Sequence, residues 1–434
     1  MSDGIKKLVD RFNSFIATSN ANKAFSAQEF VEYMEPVFAQ CGYRDKPAPD
    51  KQLKILIVRD DAAGDFVLFS PVIREIRRIY PHAHITLLCS PRNHGLAECC
   101  PYVDNVLVNR QEFDANDFSQ MFSYTLQMVV DQLLSYHFDL AFAGRLGFRS
   151  ASLLTMYMCG AKERVGFTQD RITPQGEMSR IYWDCLLTHA VPFVNRSMSD
   201  VDRELMLLED MLHAPIANRQ LEVWYTMQDR EAVRAKLGDV HRGGANICIM
   251  PGASLKMKCW PVERYIQLVK WILARPGNDA MNIIVLGGPS DREAGDAFAA
   301  AFEGQHCINL SGRLSFRQSM AAMEFCQMYI GNDTGMMHVA AALKKPILSV
   351  NCFPLNQEIA YMSVPLRFMP YQVPNVTCCP AHAKDDCHDN WRYGCSKQEE
   401  AHCILNVAVE TVEKGYELLL ERIRAKNIQP LLVK

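Results

Sequence analysis

The six residues from Asp333 to His338, with the sequence DTGMMH, bring together side chains that could do chemistry. They supply a carboxylate, a hydroxyl, a glycine and an imidazole, and they join a predicted strand at residues 328–331 to a helix predicted to begin near Met336. Backbone N–H groups at a helix start carry a partial positive charge that favours an anion. The segment therefore predicts a phosphate site, although Asp333 or Thr334 could equally serve only to cap the helix.

A second loop repeats the order of strand, loop and helix. Residues 250–261 follow an apolar run at 246–250 and precede a helical pattern that begins at Val262. Small residues, among them Ser254, would let a polyanion approach the backbone, and Lys258 supplies a compact positive charge suited to a diphosphate. The alternative for Lys258 is a solvated lysine in an ordinary loop.

The loop after the first predicted strand contributes an acid. Residues 59–65 read RDDAAGD, so that Asp65 stands just before a helix predicted at 66–80. An acid repels phosphate, but a carboxylate can take the proton of an attacking hydroxyl, which commonly accelerates a reaction ~10²–10⁴-fold. Asp65 is therefore the candidate general base, with Asp60 and Asp61 as rivals. The structural alternative is that Asp65 only interacts with the helix dipole.

The composition is that of a large globular protein. The chain has 434 residues, of which 49% are hydrophobic and 22% charged, enough for two or perhaps three domains of ~150 residues. A formal net charge of -3 and the absence of a dense Lys/Arg block give no reason to expect nucleic acid as a partner. We find neither a signal peptide nor a run of ~18 apolar residues, so we expect a cytoplasmic protein.

Sixteen cysteines in a long chain without an export signal favour reduced thiols over disulfides. Several of them lie in segment 378–403, beside three histidines and with little apolar periodicity. This segment is a candidate structural zinc or iron site. Reduced structural cysteines are the alternative, because the spacing is not the C-x2-C pairing of common zinc sites. The candidate ligands are Cys379, Cys387, Cys395 and Cys403.

The spacing of apolar runs predicts two α/β domains. Residues 1–50 indicate a helical N-terminal extension, and alternating strand and helix patterns indicate a parallel sheet in residues 51–218. The pattern resumes in residues 219–405, which contain the cysteine-rich segment 378–403, and a last helix in residues 406–434 is expected to pack back toward the N-terminal domain. Parallel sheets bind ligands beyond the carboxyl ends of their strands, so two facing sheets would place these loops across one cleft.

Motifs in both halves resemble glycosyltransferase family 9, the heptosyltransferases. The matching segments are 55–65, 71–81, 101–108, 251–261, 286–289 and 331–341. They follow one another in the expected order, and the resemblance runs from about residue 54 to about residue 415. It implies the GT-B fold, in which two Rossmann-like parallel-sheet domains face a central cleft, and an inverting sugar transfer that requires no cofactor or metal for catalysis.

The resemblance also implies a substrate class and roles for particular residues. The expected donor is a nucleoside diphosphate sugar, with ADP-heptose as the first choice, and the expected acceptor is a hydroxyl of a lipopolysaccharide-core sugar or another glycan. Asp65 matches the general base, while Arg145 and Arg149 are weaker candidates for binding an anionic acceptor, with a plain surface role as their alternative. The donor-binding positions are Ser254, Lys258, Asp333, Thr334, Gly335 and His338.

Two departures from the family pattern concern substrate choice. The first loop reads DDAA at residues 60–63, where many relatives have a Ser- or Thr-containing stretch. Ser290 stands after the GGP of residues 287–289, where an acidic donor contact is expected.

Other functions fit parts of the same pattern. The alternatives are a heptosyltransferase that acts on a protein acceptor and carries a structural iron site, and a non-catalytic sugar-nucleotide-binding protein. A dehydrogenase fits poorly, because the first strand is not followed by G-x-G-x-x-G. Beyond donor and acceptor, the expected partners include no nucleic acid, and peripheral contact with the inner membrane is an option.

Overall fold

The computed structural model divides the chain into two units, each described by itself. The described residues are 3–22, 26–45, 51–110, 117–144, 150–168, 183–192, 198–238, 244–278, 280–303, 307–355, 365–384 and 397–434. The first unit takes the described residues of Met1–Ala62, Val72–Asn195 and Arg203–Ala217, and the second takes those of Ala63–Pro71, Arg196–Asp202 and Asn218–Lys434. The predicted domain at 51–218 differs from this division in two segments, which group with the second unit.

The first unit contains a six-stranded parallel sheet with the order β3-β2-β1-β4-β5-β6. Its strands are β1 (Lys54–Arg59), β2 (His84–Cys89), β3 (Asn105–Val108), β4 (Leu140–Ala143), β5 (Glu163–Phe167) and β6 (His189–Val191). Strand β1 is central, and its Ile57 is in register with Leu87 of β2 and Phe142 of β4. Its continuous apolar run is typical of a parallel strand that is covered on both faces.

The helices that begin before residue 218 include the N-terminal extension. They are α1 (Asp3–Asn22), α2 (Ala27–Gln40), α3 (Ala63–Ile79), α4 (His94–Ala97), α5 (Phe118–Gln132), α6 (Ser150–Met158) and α7 (Asp200–Leu212), with short 3-10 helices at Leu134–Tyr136 and Trp183–Leu186. Phe30 of α2 is fully buried, and its ring centroid lies 5.3 Å from that of Phe122 in α5 and 5.4 Å from that of Tyr157 in α6. The helices of the extension are therefore part of the hydrophobic core of the first unit.

The second unit contains a seven-stranded parallel sheet with the order β13-β12-β11-β10-β7-β8-β9. Its strands are β7 (Asn246–Met250), β8 (Asn282–Val285), β9 (Cys307–Asn309), β10 (Met328–Asn332), β11 (Ile347–Val350), β12 (Asn375–Cys378) and β13 (Leu432–Val433). The chain's last strand pairs with β12, where Leu432 is in register with Thr377.

Helices of the second unit pack on its sheet. They are α8 (Met227–Leu237), α9 (Val262–Leu273), α10 (Arg292–Ala300), α11 (Phe316–Glu324), α12 (Gly335–Ala342) and α13 (Val409–Arg424), with 3-10 helices at Lys256–Lys258, Pro289–Asp291, Pro365–Phe368 and Cys403–Asn406. Helix α13 packs against β11, β12 and α9 of its own unit. That it also packs toward the N-terminal domain stays a prediction. Within the described ranges, no helix has the length and apolar character that crossing a membrane requires.

Both sheets reverse their strand order beside their first strand. The reversal falls between β1 and β4 in the first sheet and between β7 and β10 in the second. Open α/β sheets bind ligands at the carboxyl ends of the strands that flank such a reversal. The loops after β7 and β10 are the ones whose residue types and spacing predict phosphate binding.

Candidate functional site

An ion pair joins the loop after β7 to the loop after β10. Lys258 Nζ lies 2.8 Å from Asp333 Oδ2. The two strands are direct neighbours, with Gly331 of β10 in register with Met250 of β7, so the residues that follow them emerge side by side. The Lys258 side chain is 26% exposed, whereas that of Asp333 is only 8% exposed. Asp333 thus holds a partly exposed cation at the carboxyl edge of the sheet.

The charge of Lys258 is set by two opposing effects. Burial disfavours its ammonium form, but the adjacent Asp333 carboxylate outweighs burial and raises the pKa of Lys258 above its ordinary value. The Asp65 carboxylate acts in the same direction as Asp333. Lys258 therefore stays protonated at neutral pH, as an ammonium group that binds phosphate must be.

A buried asparagine to which the sequence assigned no role holds these loops together. Asn332, the last residue of β10, is completely buried. Its amide nitrogen donates hydrogen bonds to the carbonyls of Pro251 at 2.7 Å and Gly252 at 3.3 Å. Its amide oxygen accepts from the Trp260 backbone N–H at 3.1 Å and from the Tyr265 hydroxyl at 2.8 Å. The amide is saturated, which fixes the loop that carries Lys258 against the end of β10.

The two hydroxyl residues of the predicted donor site lie in different surroundings. Ser254 is exposed on the loop after β7. Thr334 occupies the N-cap position of α12, but its side chain makes no capping hydrogen bond. Its hydroxyl instead lies 3.2 Å from the Tyr329 hydroxyl. With Asp333 paired to Lys258, the reading in which Asp333 or Thr334 serves only as a helix cap does not describe this loop.

Ser290 stands where the family pattern has an acidic contact, and the next residue along the chain, Asp291, is an acid. Asp291 Oδ2 accepts a hydrogen bond from the Gly288 N–H at 2.8 Å. Burial raises the pKa of Asp291 above its ordinary value. A Cβ added to Gly252 would come within 2.1 Å of the Asp291 carboxyl carbon, so the absence of a side chain at Gly252 makes room for this acid.

The first half of α3 belongs to the same unit as these loops and brings Asp65 to them. The Phe66 and Trp224 rings meet edge to face with centroids 6.4 Å apart, and Ser70 Oγ accepts a hydrogen bond from the Glu222 N–H at 2.8 Å. Asp65 is partly exposed, and its carboxylate acts electrostatically on both Lys258 and His338. The sequence placed Asp65 in the N-terminal domain, but the contacts of its segment place it in the second unit.

Asp60 and Asp61, the rivals of Asp65, are buried in the first unit. Asp60 Oδ2 accepts a hydrogen bond from Asn109 Nδ2 at 2.9 Å. Asp61 Oδ1 lies 3.2 Å from Arg59 Nε. Both carboxylates are therefore engaged in the interior, whereas Asp65 is partly exposed.

His338 lies one turn into α12 and is buried, with 4% of its surface exposed. Burial lowers the pKa of His338 although the Asp333 and Asp65 carboxylates oppose this effect, so its imidazole is neutral at physiological pH. Its Nδ1 has no hydrogen-bond partner among the described residues. A buried polar atom without a partner costs about 1–3 kcal/mol, so a ligand that bonds it would recover that free energy.

Several predicted site residues cannot be placed. Arg145, Arg149, Cys387 and Cys395 lie outside the described residues. Of the remaining candidate metal ligands, Cys379 and Cys403 are buried. Cys403 Sγ lies 3.4 Å from the Nδ1 atom of the adjacent His402. The part of the chain that the structure describes contains no group of three or more His, Cys, Asp or Glu side chains that could hold a metal ion. The metal site stays a prediction.

Two α/β units, each with a parallel sheet, are the architecture of the GT-B fold. A sequence model described as "Glycosyltransferase family 9 (heptosyltransferase)" matches residues 128–355, just over half of the chain. The chain belongs to this family, and it is a glycosyltransferase. The predictions of GT-B fold, family and enzyme class are confirmed.

Individual relatives agree with this assignment. Lipopolysaccharide heptosyltransferase 2 of Escherichia coli is 22% identical over 306 residues, which cover 69% of this chain and 82% of the relative. A family 9 glycosyltransferase structure from Veillonella parvula has a TM-score of 0.63 at 19% identity, covering 85% of this chain and 97% of the other. The structure of an E. coli ADP-heptose lipopolysaccharide heptosyltransferase II has a TM-score of 0.60 at 19% identity, covering 86% and 100%. At this identity the two structures show the fold alone.

Proposed function

We propose that this glycosyltransferase transfers heptose, with inversion, from ADP-heptose to a hydroxyl of a lipopolysaccharide-core sugar or another glycan. Family membership supports heptose as the sugar, and the names of the relatives support ADP-heptose as donor and lipopolysaccharide core as acceptor. A cytoplasmic location with peripheral contact to the inner membrane belongs to the same proposal.

The second unit would bind the donor through its diphosphate. Lys258 and the N–H groups at the start of α12, near Gly335, supply positive charge where the leaving group gains negative charge. Asp333 keeps the lysine protonated and in place, and its remaining acceptor capacity suits a sugar hydroxyl. Ser254 and Thr334 are hydroxyl groups on the two loops that flank the same edge of the sheet.

Asp65 would act as the general base. Inversion requires that the acceptor hydroxyl be deprotonated on one face of the anomeric carbon while the nucleoside diphosphate leaves from the other. The observation that carries the proposal is that Asp65, a partly exposed carboxylate, lies within electrostatic reach of Lys258 and His338. A base and a phosphate-binding cation thus occur in one group of residues.

The test is a panel of nucleotide sugars offered to the wild-type protein and to Asp65→Asn. We expect donor affinity to be retained and turnover to fall ~10²–10⁴-fold, because only proton removal is lost. Asp296→Asn, which changes an acid that is 52% exposed on α10, is the matched control and should turn over normally. Unaltered turnover in Asp65→Asn would show that another group accepts the proton.

The acceptor class is tested in the same assay. Core oligosaccharides with free hydroxyls should accept the sugar from the preferred donor, whereas unglycosylated polypeptides should not. Transfer to polypeptides alone would replace the glycan acceptor in this proposal by a protein.

A further inference from the structure

A serine hydroxyl inside α3 takes the place of a backbone N–H that the helix lacks. Pro71 lies within α3 and has no N–H group, so it cannot donate to the Val67 carbonyl one turn earlier. Ser70 Oγ donates a hydrogen bond to that carbonyl at 2.7 Å instead. A backbone carbonyl in a buried part of the helix is thereby paired, although the proline removes its usual donor.

The same hydroxyl joins α3 to another segment of the second unit. Ser70 is completely buried, and its Oγ accepts a hydrogen bond from the Glu222 N–H at 2.8 Å. A serine hydroxyl has one proton, which is donated to the Val67 carbonyl, so its oxygen acts as acceptor toward Glu222. One side chain therefore satisfies two backbone groups, one in its own helix and one in a distant segment.

Contacts on one face of α3 fix the rotation of the helix about its axis. Phe66 lies one turn before Ser70, so both side chains are on the same face. The Phe66 ring meets the Trp224 ring edge to face, and Trp224 follows two residues after Glu222. Asp65 is next to Phe66 and points about 100° away around the helix, so these contacts also set the direction of its side chain.

The segment that receives this face of α3 is itself anchored in the second unit. Residues 221–226 lead directly into α8, and the side chain of Thr226 caps that helix. The Tyr225 hydroxyl donates to Glu324 Oε2 at 3.0 Å, and Glu324 is the last residue of α11. The hydrogen bond from Glu222 to Ser70 thus connects α3 to two helices of the second unit.

The start of α3 has a second contact, with α12. A Cβ added to Gly64 would lie 3.2 Å from Gly335 Cα, so the backbones of the two helix starts are close together. Gly335 is one of the predicted donor-binding residues. Asp65 therefore stands between Gly64, which lies against α12, and the face with Phe66 and Ser70. A rotation or shift of α3 would move the Asp65 carboxylate relative to the donor loops.

We propose that Ser70 is a positioning residue for the general base: it holds the first half of α3 on residues 222–224 and so orients the Asp65 carboxylate toward the acceptor hydroxyl. This inference rests on the proposed role of Asp65. Because Ser70 is completely buried, it acts through Asp65 and not by contact with a substrate. Pro71 contributes to the same arrangement, since the carbonyl that it leaves without a backbone donor takes the serine proton and turns the serine lone pairs toward Glu222.

Ser70→Ala is the first test. The Glu222 N–H loses its acceptor and α3 is free to turn, and because a misplacement of about 1 Å can cost ~10²-fold in rate, we expect kcat to fall roughly 10- to 100-fold. The Kd for ADP should not change, since Lys258 lies on another loop. Ser319→Ala is the matched control and should keep the wild-type kcat. Ser319 is a buried serine of α11 whose hydroxyl donates to the Ser315 carbonyl of the same helix at 3.0 Å.

The same substitution in the Asp65→Asn background shows whether the serine acts through Asp65. A positioning residue has no effect once the base is gone, so Asp65→Asn and Asp65→Asn/Ser70→Ala should have the same kcat. An equal loss of kcat in both backgrounds, or an unchanged kcat in Ser70→Ala alone, would overturn the inference while the role of Asp65 stands. Normal turnover in Asp65→Asn would remove the base from the proposed function, and the positioning role of Ser70 with it.

A second variant keeps the test decisive if Ser70→Ala does not fold. In Ser70→Ala/Pro71→Ala, alanine 71 supplies an N–H to the Val67 carbonyl, so the helix regains its backbone bond and the Glu222 N–H still lacks its acceptor. This variant should fold and still have a reduced kcat, whereas Pro71→Ala alone keeps the serine and should stay active. A double variant with the wild-type kcat would show that the hydroxyl serves only the helix, which contradicts the inference.

Discussion

The two sheets reverse their strand order in the same way, yet they place opposite kinds of charge cluster at the reversal. At the end of β1, Arg59 Nη1 lies 2.8 Å from Glu204 Oε1, and the side chains of Arg59, Asp61 and Glu204 are at most 2% exposed. After β7 and β10, Lys258 is 26% exposed and pairs with Asp333. The first cluster is sealed from solvent, whereas the second is open to a ligand.

The difference shows that the strand-order reversal provides a position for a ligand site, but that the topology alone does not decide whether a ligand can bind there. A charge cluster that is fully enclosed and internally paired offers no exposed charged group to a substrate. A partly exposed cation, in a group of residues where His338 Nδ1 has no hydrogen-bond partner within the described part of the chain, does have that capacity.

The largest effect should come from breaking the sealed cluster. Arg59→Met leaves Glu204 and Asp61 buried without their main partner, and such a change costs about 3–5 kcal/mol. The loss should fall toward the lower value, because Arg203 Nη2 remains 3.9 Å from Glu204. Chemical denaturation measures this loss in the free energy of unfolding. The folded fraction of the variant should bind the donor with the same affinity as the wild type. Glu400→Gln, in an ion pair whose acid is 56% exposed, is the control and should be nearly neutral.

Removing the cation of the open cluster should act on binding more than on folding. Lys258→Met deletes a charge-assisted hydrogen bond worth ~1.5–3 kcal/mol, so the Kd for the donor should rise about 10- to 100-fold. Lys256→Met changes an exposed lysine of the same 3-10 turn and is the matched control. If both variants bind the donor equally well, Lys258 is not a phosphate ligand and the contrast between the clusters fails.

A smaller effect is expected where the two loops of the open cluster are tied together. Asn332→Ala removes the partners of four buried hydrogen bonds and should lower the free energy of unfolding by about 1–3 kcal/mol. It should also weaken donor binding, because the loop with Lys258 is no longer fixed. Asn13→Ala on the exposed face of α1 should do neither. Lower stability with unchanged donor affinity would mean that Asn332 supports the fold alone.

The smallest expected effect is a pH dependence of the free energy of unfolding that is caused by His338. Folded His338 takes up a proton at lower pH than an unfolded histidine, whose ordinary pKa is 6.5. The unfolded state therefore binds more protons below that pH, and the free energy of unfolding should fall as the pH is lowered through about 6.5. The charged groups that act on this ring are Asp333, Asp65, Lys258 and Asp200. In urea titrations at several pH values, the free energy of unfolding of His338→Asn should depend less on pH than that of the wild type. Identical pH profiles for the two proteins would show that His338 does not cause the dependence.

Strands with continuous apolar runs were the most predictable part of the fold. The apolar run at the end of β7 and the run ILIV at residues 55–58 of β1 are of this kind, because a parallel strand covered on both faces favours apolar side chains along its length. The sequence did not indicate β5, β6, β12 or β13. These strands are short, and Asn375–Cys378 alternates polar and apolar residues, so their pairing depends on neighbours that the chain supplies from far away.

Within the candidate site, the charged residues Lys258 and Asp333 were predictable. The residues that hold their loops in place through buried hydrogen bonds were not. Lys258 and Asp333 stand in loops whose small residues and position after a strand indicate phosphate binding. Asn332 lies within the matching segment 331–341 but had no predicted role, and Asp291 stands one residue after the position where an acidic contact is expected. A buried amide or carboxyl acquires its role from the carbonyl and N–H groups that the folded chain brings to it, and these lie on separate loops.

The sequence by itself determined the family, the two parallel sheets and the loops that bear the reactive groups, because apolar period and short motifs are local properties of the chain. Tertiary structure alone decided that Lys258 pairs with Asp333 and that Asp60 and Asp61 are sealed in the interior. The physical reason is that burial and electrostatic pairing arise between segments far apart in the chain, so they exist only after the sheets have formed.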